Sequence, residues 1–216
     1  PRSTLFPYTT IFRSRDQTMN INLIYPQIPS ILDRHIPGTT ITSCQLLSDL
    51  TAQIKSQLEQ SAKDTPFTQV TILKAPIEFL MRKLATQART QPTSANLNIV
   101  LQLGASAQDD RWHAASGWTV TSQPNNLQSN QLAGLLIAQA LQLLGRQAIS
   151  NQTAPVSQRG QSPARLLDIA KSPTVLTTNL YIDNRQNAVL LRQSGGIQML
   201  VSIHAPAIEQ YLKLSQ

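Results

Sequence analysis

The sequence has little of several residue types that mark specialised classes of protein. It holds one cysteine, Cys44, which excludes a disulfide bond within the chain. Charged residues make up 13% of the chain and aromatic residues 5%. No apolar run reaches the roughly 18 residues of a membrane span, and no cluster of five or more Lys and Arg residues supports nucleic-acid binding. Gln, Asn, Ser and Thr therefore supply most of the polar surface.

The first eighteen residues do not fit the rest of the chain. Residues 1–14, PRSTLFPYTTIFRS, resemble a translated sequencing adapter of the kind fused to genes assembled from metagenomic reads. We set residues 1–18 aside as artefactual or disordered, expect native sequence to begin between Arg15 and Met19, and predict a single domain over residues 19–216. Of the 18 basic and 11 acidic residues the leader holds three and one, so the domain keeps 15 and 10 and a net charge of +5.

Strand-like and helix-like segments alternate along the domain. Short apolar runs predict strands at residues 21–25, 67–73, 97–103, 117–122 and 175–182. Helical spacing of apolar residues predicts a helix capped by Ser43, and others over residues 77–89, 127–144 and 198–214, the last kinked at Pro206. This order predicts a three-layer α/β fold, a mostly parallel sheet with helices on both faces. Ligands of such sheets bind beyond the carboxyl ends of the strands, here residues 27–28, 104–112 and 178–183.

The order of several short segments resembles the zinc-dependent N-acetylmuramoyl-L-alanine amidases. These segments are residues 117–120 (GWTV), 132–133 (LA), 159–160 (RG), 166–167 (LL), 173–176 (PTVL), 182–184 (IDN) and 188–191 (AVLL). The resemblance implies an amidase-like (phosphorylase/hydrolase-like) α/β fold. It also implies a site in which two histidines and a glutamate hold zinc while a second glutamate is the general base. In that family the zinc-activated water cleaves the amide bond, a non-peptide C–N bond, between muramic acid and L-alanine.

The positions that match the family's zinc ligands and base carry other residues in this sequence. Ile28 stands at the first histidine and Gly104 at the second. The glutamate ligand falls near Cys44, and the catalytic glutamate falls at Thr178. Isoleucine and glycine have no side-chain atom that binds a metal. We therefore predict that the chain lacks the family's zinc site and binds no cofactor, with zinc expected only if this assignment of positions is wrong.

The three histidines and two tryptophans each have a functional and a structural interpretation. His113 follows Asp109 and Asp110, and such a group could bind a metal or act as acid and base, although we favour an exposed polar loop. We expect His35 to be a surface residue and His204 to be a structural residue of the last helix. Trp112 and Trp118 could stack on sugar rings, but Trp118 lies in a strand and is expected in the core. The candidate cleft residues are Gly104, Asp109, Asp110, Trp112, His113 and Thr178.

The resemblance leads to one leading hypothesis and two alternatives. The leading hypothesis is an amidase-like domain without catalytic activity that acts in binding or regulation at the cell envelope, with peptidoglycan or a cell-wall hydrolase as its partner. The first alternative is an active metal-dependent peptidoglycan amidase whose site has moved to His113 and its acidic neighbours. The second is an intracellular protein-interaction domain that reuses the fold. The resemblance places the protein in the envelope or periplasm, whereas a true start at Met19 would place it in the cytoplasm.

Overall fold

The computed structural model describes residues 19–27, 33–61, 67–90, 96–106, 111–145, 149–153, 162–193 and 195–215, with the backbone alone at residues 67, 68 and 149–153. The strands in this part of the chain are β1 (Met19–Pro26), β2 (Phe67–Ala75), β3 (Asn96–Gly104), β4 (Trp118–Ser122), β5 (Ile149–Thr153) and β6 (Thr174–Tyr181). The helices are α1 (Ser43–Gln60), α2 (Ile77–Thr90), α3 (Leu127–Leu144), α4 (Arg165–Ile169), α5 (Arg185–Arg192) and α6 (Gly196–Leu214).

The strands form one sheet in the order β2-β1-β3-β6-β4-β5. Strands β2, β1, β3 and β6 run parallel to one another. Strand β4 runs antiparallel to β6, and β5 is parallel to β4. Helices α1, α3 and α6 pack together against one face, and α2 and α4 cover the other. The predicted fold class, a mostly parallel sheet with helices on both faces, is therefore confirmed.

Residues of the central strands are buried on both faces of the sheet. In β1, Ile21 and Leu23 face the larger core cluster, whereas Ile24 faces the smaller one. In β6, Val175 and Leu176 divide between the two clusters in the same way. A strand covered on both sides reads as a nearly continuous apolar run, which is why periodicity alone located these strands.

A ladder of polar side chains crosses the centre of the sheet. Asn22 Nδ2 donates to Asn98 Oδ1 at 2.9 Å, and Asn98 Nδ2 donates to Thr174 Oγ1 at 3.1 Å. The Thr174 hydroxyl then donates to the Ser172 carbonyl at 2.8 Å. All four residues are buried, so these bonds satisfy groups that would otherwise lose their water partners at a cost of about 1–3 kcal/mol each.

The helix boundaries correct the sequence prediction at α1. Thr42, and not Ser43, is the N-cap, because the Thr42 side chain accepts from the Gln45 backbone N–H. Ser43 is the first helical residue, and its hydroxyl donates to Asp33 Oδ1 at 2.7 Å. Asp33 therefore also contacts the start of the helix.

The last helix is unbroken, and a pair of glycines stands at its start. Helix α6 continues through Pro206, the residue at which the sequence predicts a kink. Gly195 is the N-cap of α6 and Gly196 is its first residue. A Cβ atom on Gly196 would collide with the Leu190 carbonyl oxygen, so this junction requires glycine. No helix in the described part of the chain is both long and apolar enough to span a membrane.

Candidate functional site at the ends of β3 and β6

The candidate site lies where β3 and β6 end side by side. Gln102 pairs with Thr178 and Gly104 pairs with Tyr181, so β6 contains one more residue than β3 between these two pairs. The extra residue forms a bulge, and Leu180 within it has a φ of 69°. A leucine in this left-handed region is strained, by about 1–3 kcal/mol, and persists because its side chain is buried at 1% exposure.

Gly104, which the sequence resemblance matches to the family's second histidine, is covered by an aromatic ring. A Cβ atom placed on Gly104 would lie 2.6 Å from Cδ1 and 2.7 Å from Cγ of Tyr181. Real Cβ atoms essentially never come within 3.0 Å of such a ring atom, so a side chain at residue 104 would require the Tyr181 ring to move. The ring of Tyr181 therefore occupies the space into which a side chain at residue 104 would begin to extend.

Thr178, which the sequence resemblance matches to the family's catalytic glutamate, forms a hydrogen bond within the sheet. Its hydroxyl oxygen accepts a hydrogen bond from Gln102 Nε2 at 2.9 Å, and the residue is 8% exposed. The two residues are opposite each other on β6 and β3. A threonine hydroxyl can hydrogen-bond a ligand, but it is not a base at neutral pH.

Cys44, near which the sequence resemblance places the family's glutamate ligand, lies in the first turn of α1. Its backbone N–H donates to Asp33 Oδ1 at 3.0 Å, beside the bond from Ser43 Oγ. Burial would raise the pKa of Asp33, but hydrogen bonds from Ser43, Cys44 and Thr42 outweigh it and hold the pKa below its ordinary value. This carboxylate therefore stays ionised and stabilises the helix N-terminus.

The junction between β6 and α5 holds the neighbouring segments in place. Asp183 Oδ2 accepts from the Ser106 N–H, and the Asp183 carbonyl accepts from the His113 N–H at 2.7 Å. Asn184 Nδ2 donates to the His113 carbonyl at 3.2 Å, while its Oδ1 caps α5. Asn187 Oδ1 accepts from the N–H groups of Gly117 and Tyr181. These three side chains fix the segment before β4 against the end of β6.

One carboxylate oxygen of Asp183 accepts no hydrogen bond from the described residues. The residue is 4% exposed, and its Oδ1 atom is buried. A buried acceptor left unpaired costs about 1–3 kcal/mol, more when it is charged. Asp183 Oδ1 is therefore a buried acceptor at this end of the sheet for which the described part of the chain supplies no donor.

Trp112 is the aromatic side chain exposed at this site. It keeps 36% of its surface accessible, and the Arg185 guanidinium lies 5.8 Å from the centre of its ring. Because Arg185 is the first residue of α5 and residue 113 is bound to the β6–α5 junction, the Trp–Arg pair sits on fixed backbone. His113 itself is half-buried.

The structure brings together part of the candidate cleft that the sequence predicted. Gly104, Trp112, His113 and Thr178 lie at the ends of β3 and β6 and in the segment bound to them. Ile28, Asp109, Asp110 and the 159–160 pair lie outside the described residues. Among the described residues, no three His, Cys, Asp or Glu side chains are close enough to hold one metal ion. The described donors thus do not fit a zinc site of the family's kind.

His204 and Trp118 belong to the core, as the sequence predicted. Both are fully buried, and their rings meet edge to face with centres 6.1 Å apart. Trp118 Nε1 donates to Asn179 Oδ1 at 2.9 Å, and Asn179 Nδ2 donates to Thr177 Oγ1 at 3.0 Å. Thr177 Oγ1 lies 3.1 Å from His204 Nε2, and His204 Nδ1 lies 2.8 Å from the Leu200 carbonyl. His35 is exposed, also as predicted.

The direction of this polar network follows from its ends. An indole N–H can only donate and a carbonyl can only accept, so His204 carries its proton on Nδ1 and accepts at Nε2 from the Thr177 hydroxyl. Every polar group along the chain then has a partner. Burial lowers the pKa of His204 to about 4, against a smaller opposing effect of the Leu200 carbonyl. The imidazole is therefore neutral at physiological pH.

No protein-family model and no curated protein matches the chain. Its fold is similar to that of an N-acetylmuramoyl-L-alanine amidase from Clostridium difficile 630, with a TM-score of 0.69 and 9% identity over 93% of this chain and 100% of that one. It is also similar to the CwlV amidase catalytic domain of Bacillus (Paenibacillus) polymyxa var. colistinus, at a TM-score of 0.63 and 13% identity over 90% and 99% of the two chains. The CwlD amidase of Clostridioides difficile, solved in complex with the GerS lipoprotein, gives 0.62 and 10% over 89% and 98%.

The fold is that of the peptidoglycan amidases. Identities of 9% to 13% establish the fold and carry no statement about activity. The likeness covers about nine-tenths of the chain, in agreement with the resemblance drawn from the order of short sequence segments.

Two residues of the site, Tyr181 and Asn187, were not predicted as site residues from the sequence. Their roles depend on a strand bulge and on contacts between segments about seventy residues apart. Asp183 was included in the strand-end segment 178–183 and in the segment 182–184, but it was not among the candidate cleft residues.

Proposed function

We propose that this chain is a non-catalytic relative of the peptidoglycan amidases that binds cell-wall material, or a cell-wall hydrolase, at the ends of β3 and β6. The observation that carries the proposal is the contact between Gly104 and Tyr181. A zinc ligand at residue 104 would need the space that the Tyr181 ring fills. The Tyr181 ring therefore packs where such a side chain would begin, and the two could not occupy that space together.

The position of the family's general base supports the same proposal. Thr178 has no group that can accept a proton from a water molecule near neutral pH, and its hydroxyl is bound to Gln102. A functioning amidase would need a base elsewhere within reach of the scissile bond. The proposal does not depend on the undescribed residue 28.

Groups suited to ligand binding, in contrast, are present at this site. The exposed ring of Trp112 offers an apolar face of the kind that packs against a sugar ring, and Arg185 adds a cation that suits the carboxylates of peptidoglycan. A protein partner is the other form of the proposal, since the similar CwlD amidase was solved with the GerS lipoprotein.

The second candidate is an active hydrolase with a relocated site, and one observation favours it. The unpartnered oxygen of Asp183 lies in a residue whose carbonyl binds the backbone of His113. A carboxylate and an imidazole on touching segments are a common pair in acid–base chemistry. This candidate requires a bound metal, so it predicts stoichiometric zinc in the purified protein.

The test separates the two candidates. The domain 19–216 is purified after zinc supplementation, its metal content is measured by elemental mass spectrometry, and its binding to purified peptidoglycan is measured by co-sedimentation. We expect zinc well below one equivalent together with binding that Trp112→Ala weakens. Phe79→Ala is the matched control, since Phe79 is 51% exposed on α2, on the opposite face of the sheet. Stoichiometric zinc, or amide cleavage of peptidoglycan, would overturn the proposal.

A second variant tests the binding surface as a whole. Replacing Asp109, Trp112 and His113 together by alanine should abolish peptidoglycan binding and leave the melting temperature nearly unchanged, because Trp112 is exposed and His113 half-buried. Unaltered binding by a folded triple variant would show that this segment recognises nothing. In that case the other partner named in the proposal, a cell-wall hydrolase, is tested in the same assay, with a cell-wall amidase in place of peptidoglycan.

A further inference from the structure

Helix α3 carries an exposed face without charge. Its buried residues, among them Leu132 and Leu136, point toward the sheet and α6. On the opposite side of the helix lie five exposed residues at spacings of four and three, which we call the α3 stripe: Leu127, Gln131, Gly134, Ala138 and Leu141. Leu127 is 82% exposed and Leu141 39% exposed.

Gly134 is not explained by the packing of a single chain. It lies in the interior of an eighteen-residue helix, where glycine costs about 1 kcal/mol relative to alanine. Its backbone has no positive φ, and a Cβ atom at this position would meet nothing within 4 Å. The single chain therefore gains nothing from this glycine, whereas a second backbone could approach the helix closely only here and at Ala138.

The charge distribution favours one kind of partner. The chain has a net charge of +7, yet no Asp, Glu, Lys or Arg occurs between Arg111 and Arg146, a stretch that includes all of α3. Two copies of a basic protein repel each other wherever their charged surfaces meet. The α3 stripe is a face on which they can meet without that repulsion, whereas an acidic partner would gain nothing from a neutral face.

The stripe is also complementary to itself. A two-fold axis that crosses α3 near residue 136 places Gly134 of one copy opposite Ala138 of the other, and Gln131 opposite Leu141. The same axis places Leu127 opposite Gly145, which is exposed and ends the helix. The small residues thus meet at the centre, where the two helices cross, and longer side chains meet further out, as an interface that uses the same patch on both subunits allows.

We infer that the α3 stripe is the contact surface between two copies of this chain, with the two α3 helices antiparallel and closest at Gly134 and Ala138. The inference is independent of the cleft at the ends of β3 and β6. A single pair of helices is a small interface, so the dimer is of the weak class and forms reversibly with concentration. Added salt strengthens it, because salt screens the repulsion between the two basic domains and leaves the uncharged contact intact.

Sedimentation velocity from micromolar to near-millimolar protein tests the inference. The native sequence should move from monomer to dimer over this range. Ala138→Lys should raise the apparent Kd at least about tenfold, because each copy brings a charge into the contact. Gln128→Lys is the matched control: it adds the same charge to an exposed position of the same helix, about 100° from the stripe, and should change the Kd little.

Gly134→Gln tests whether a weaker dimer could result from a loss of folding and not from a change in the contact. This variant should raise the thermal stability of the monomer, because glutamine is the better helix former at an exposed position, and should weaken the dimer by holding the two backbones apart. A chain that stays monomeric at every concentration would overturn the inference. So would a dimer that Ala138→Lys and Gln128→Lys weaken equally, because the contact would then lie elsewhere.

Discussion

The buried imidazole of His204 makes the stability of the domain depend on pH in a defined window. Its folded pKa of about 4 lies below the ordinary histidine value of 6.5. Between these two values the unfolded chain binds a proton that the folded chain does not, so stability is full above about pH 6.5 and falls as the pH decreases toward 4. The total loss is about 3 kcal/mol, and about 2 kcal/mol of it is already lost at pH 5.

Urea unfolding at intervals from pH 7.5 to pH 4, followed by far-UV circular dichroism, measures this loss. His204→Gln keeps a hydrogen-bonding side chain but cannot titrate, so its stability should change little over the same window. It should also be less stable than the native sequence at pH 7.5, because glutamine cannot reproduce both contacts of the ring, to Thr177 and to Leu200. His35→Gln, at an exposed position, is the matched control and should retain the full dependence.

Two results would refute this reasoning. The first is a native domain equally stable at pH 7.5 and pH 5. The second is a pH dependence in His204→Gln as steep as in the native sequence, which would assign the protons to other groups. The proposed tautomer is open to its own test, since ¹⁵N NMR of the imidazole should show a protonated Nδ1 and an unprotonated Nε2 at neutral pH.

Three further predictions concern stability. Gly196→Ala should destabilise the domain by at least ~2 kcal/mol, because the new methyl group meets a backbone carbonyl, whereas Gly195→Ala has open space and should be tolerated; thermal unfolding of both variants checks this. Asn98→Val should cost about 1–3 kcal/mol by leaving Asn22 unpaired, and the double variant with Asn22→Val should cost less than the single one in the same assay. The lowered pKa of Asp33 makes its contribution full above about pH 3.8 and lost below it, so Asp33→Asn should flatten acid unfolding curves below that pH without changing the His204 window.

The sequence predicted the long and buried elements of the fold well. Helix α3 was located because eighteen residues give several turns of apolar periodicity, and β3 because it is covered on both faces. Strand β5 and helix α4, of five residues each, were missed, since so short a segment shows neither period. Helix α5 was missed because half of its eight residues are polar and its start depends on the Asn184 cap.

The site was predictable in location but not in its contacts. Strand ends alone pointed to Gly104, Thr178 and the segment around His113, because parallel strands bring their carboxyl ends together. Tyr181 fills the space above Gly104 because β6 contains an extra residue, Leu180, at its bulge. Leu180 has a left-handed backbone conformation, which residue propensities do not predict for leucine. The partners of Asp183 likewise come from segments distant in the chain.

The described part of the site is mostly satisfied, and this bears on the proposed function. Catalytic groups are commonly held with unmet hydrogen-bonding capacity, so that the reaction supplies the missing partner. Here the Thr178 hydroxyl is bound to Gln102, the position of Gly104 is packed under Tyr181, and the network below them is paired from Trp118 to Leu200. The exception is Asp183 Oδ1, beside the segment that presents Trp112. A site whose described groups are mostly satisfied and which presents one exposed ring, Trp112, suits recognition of a ligand better than it suits hydrolysis, and this argues for the binding role over the relocated amidase.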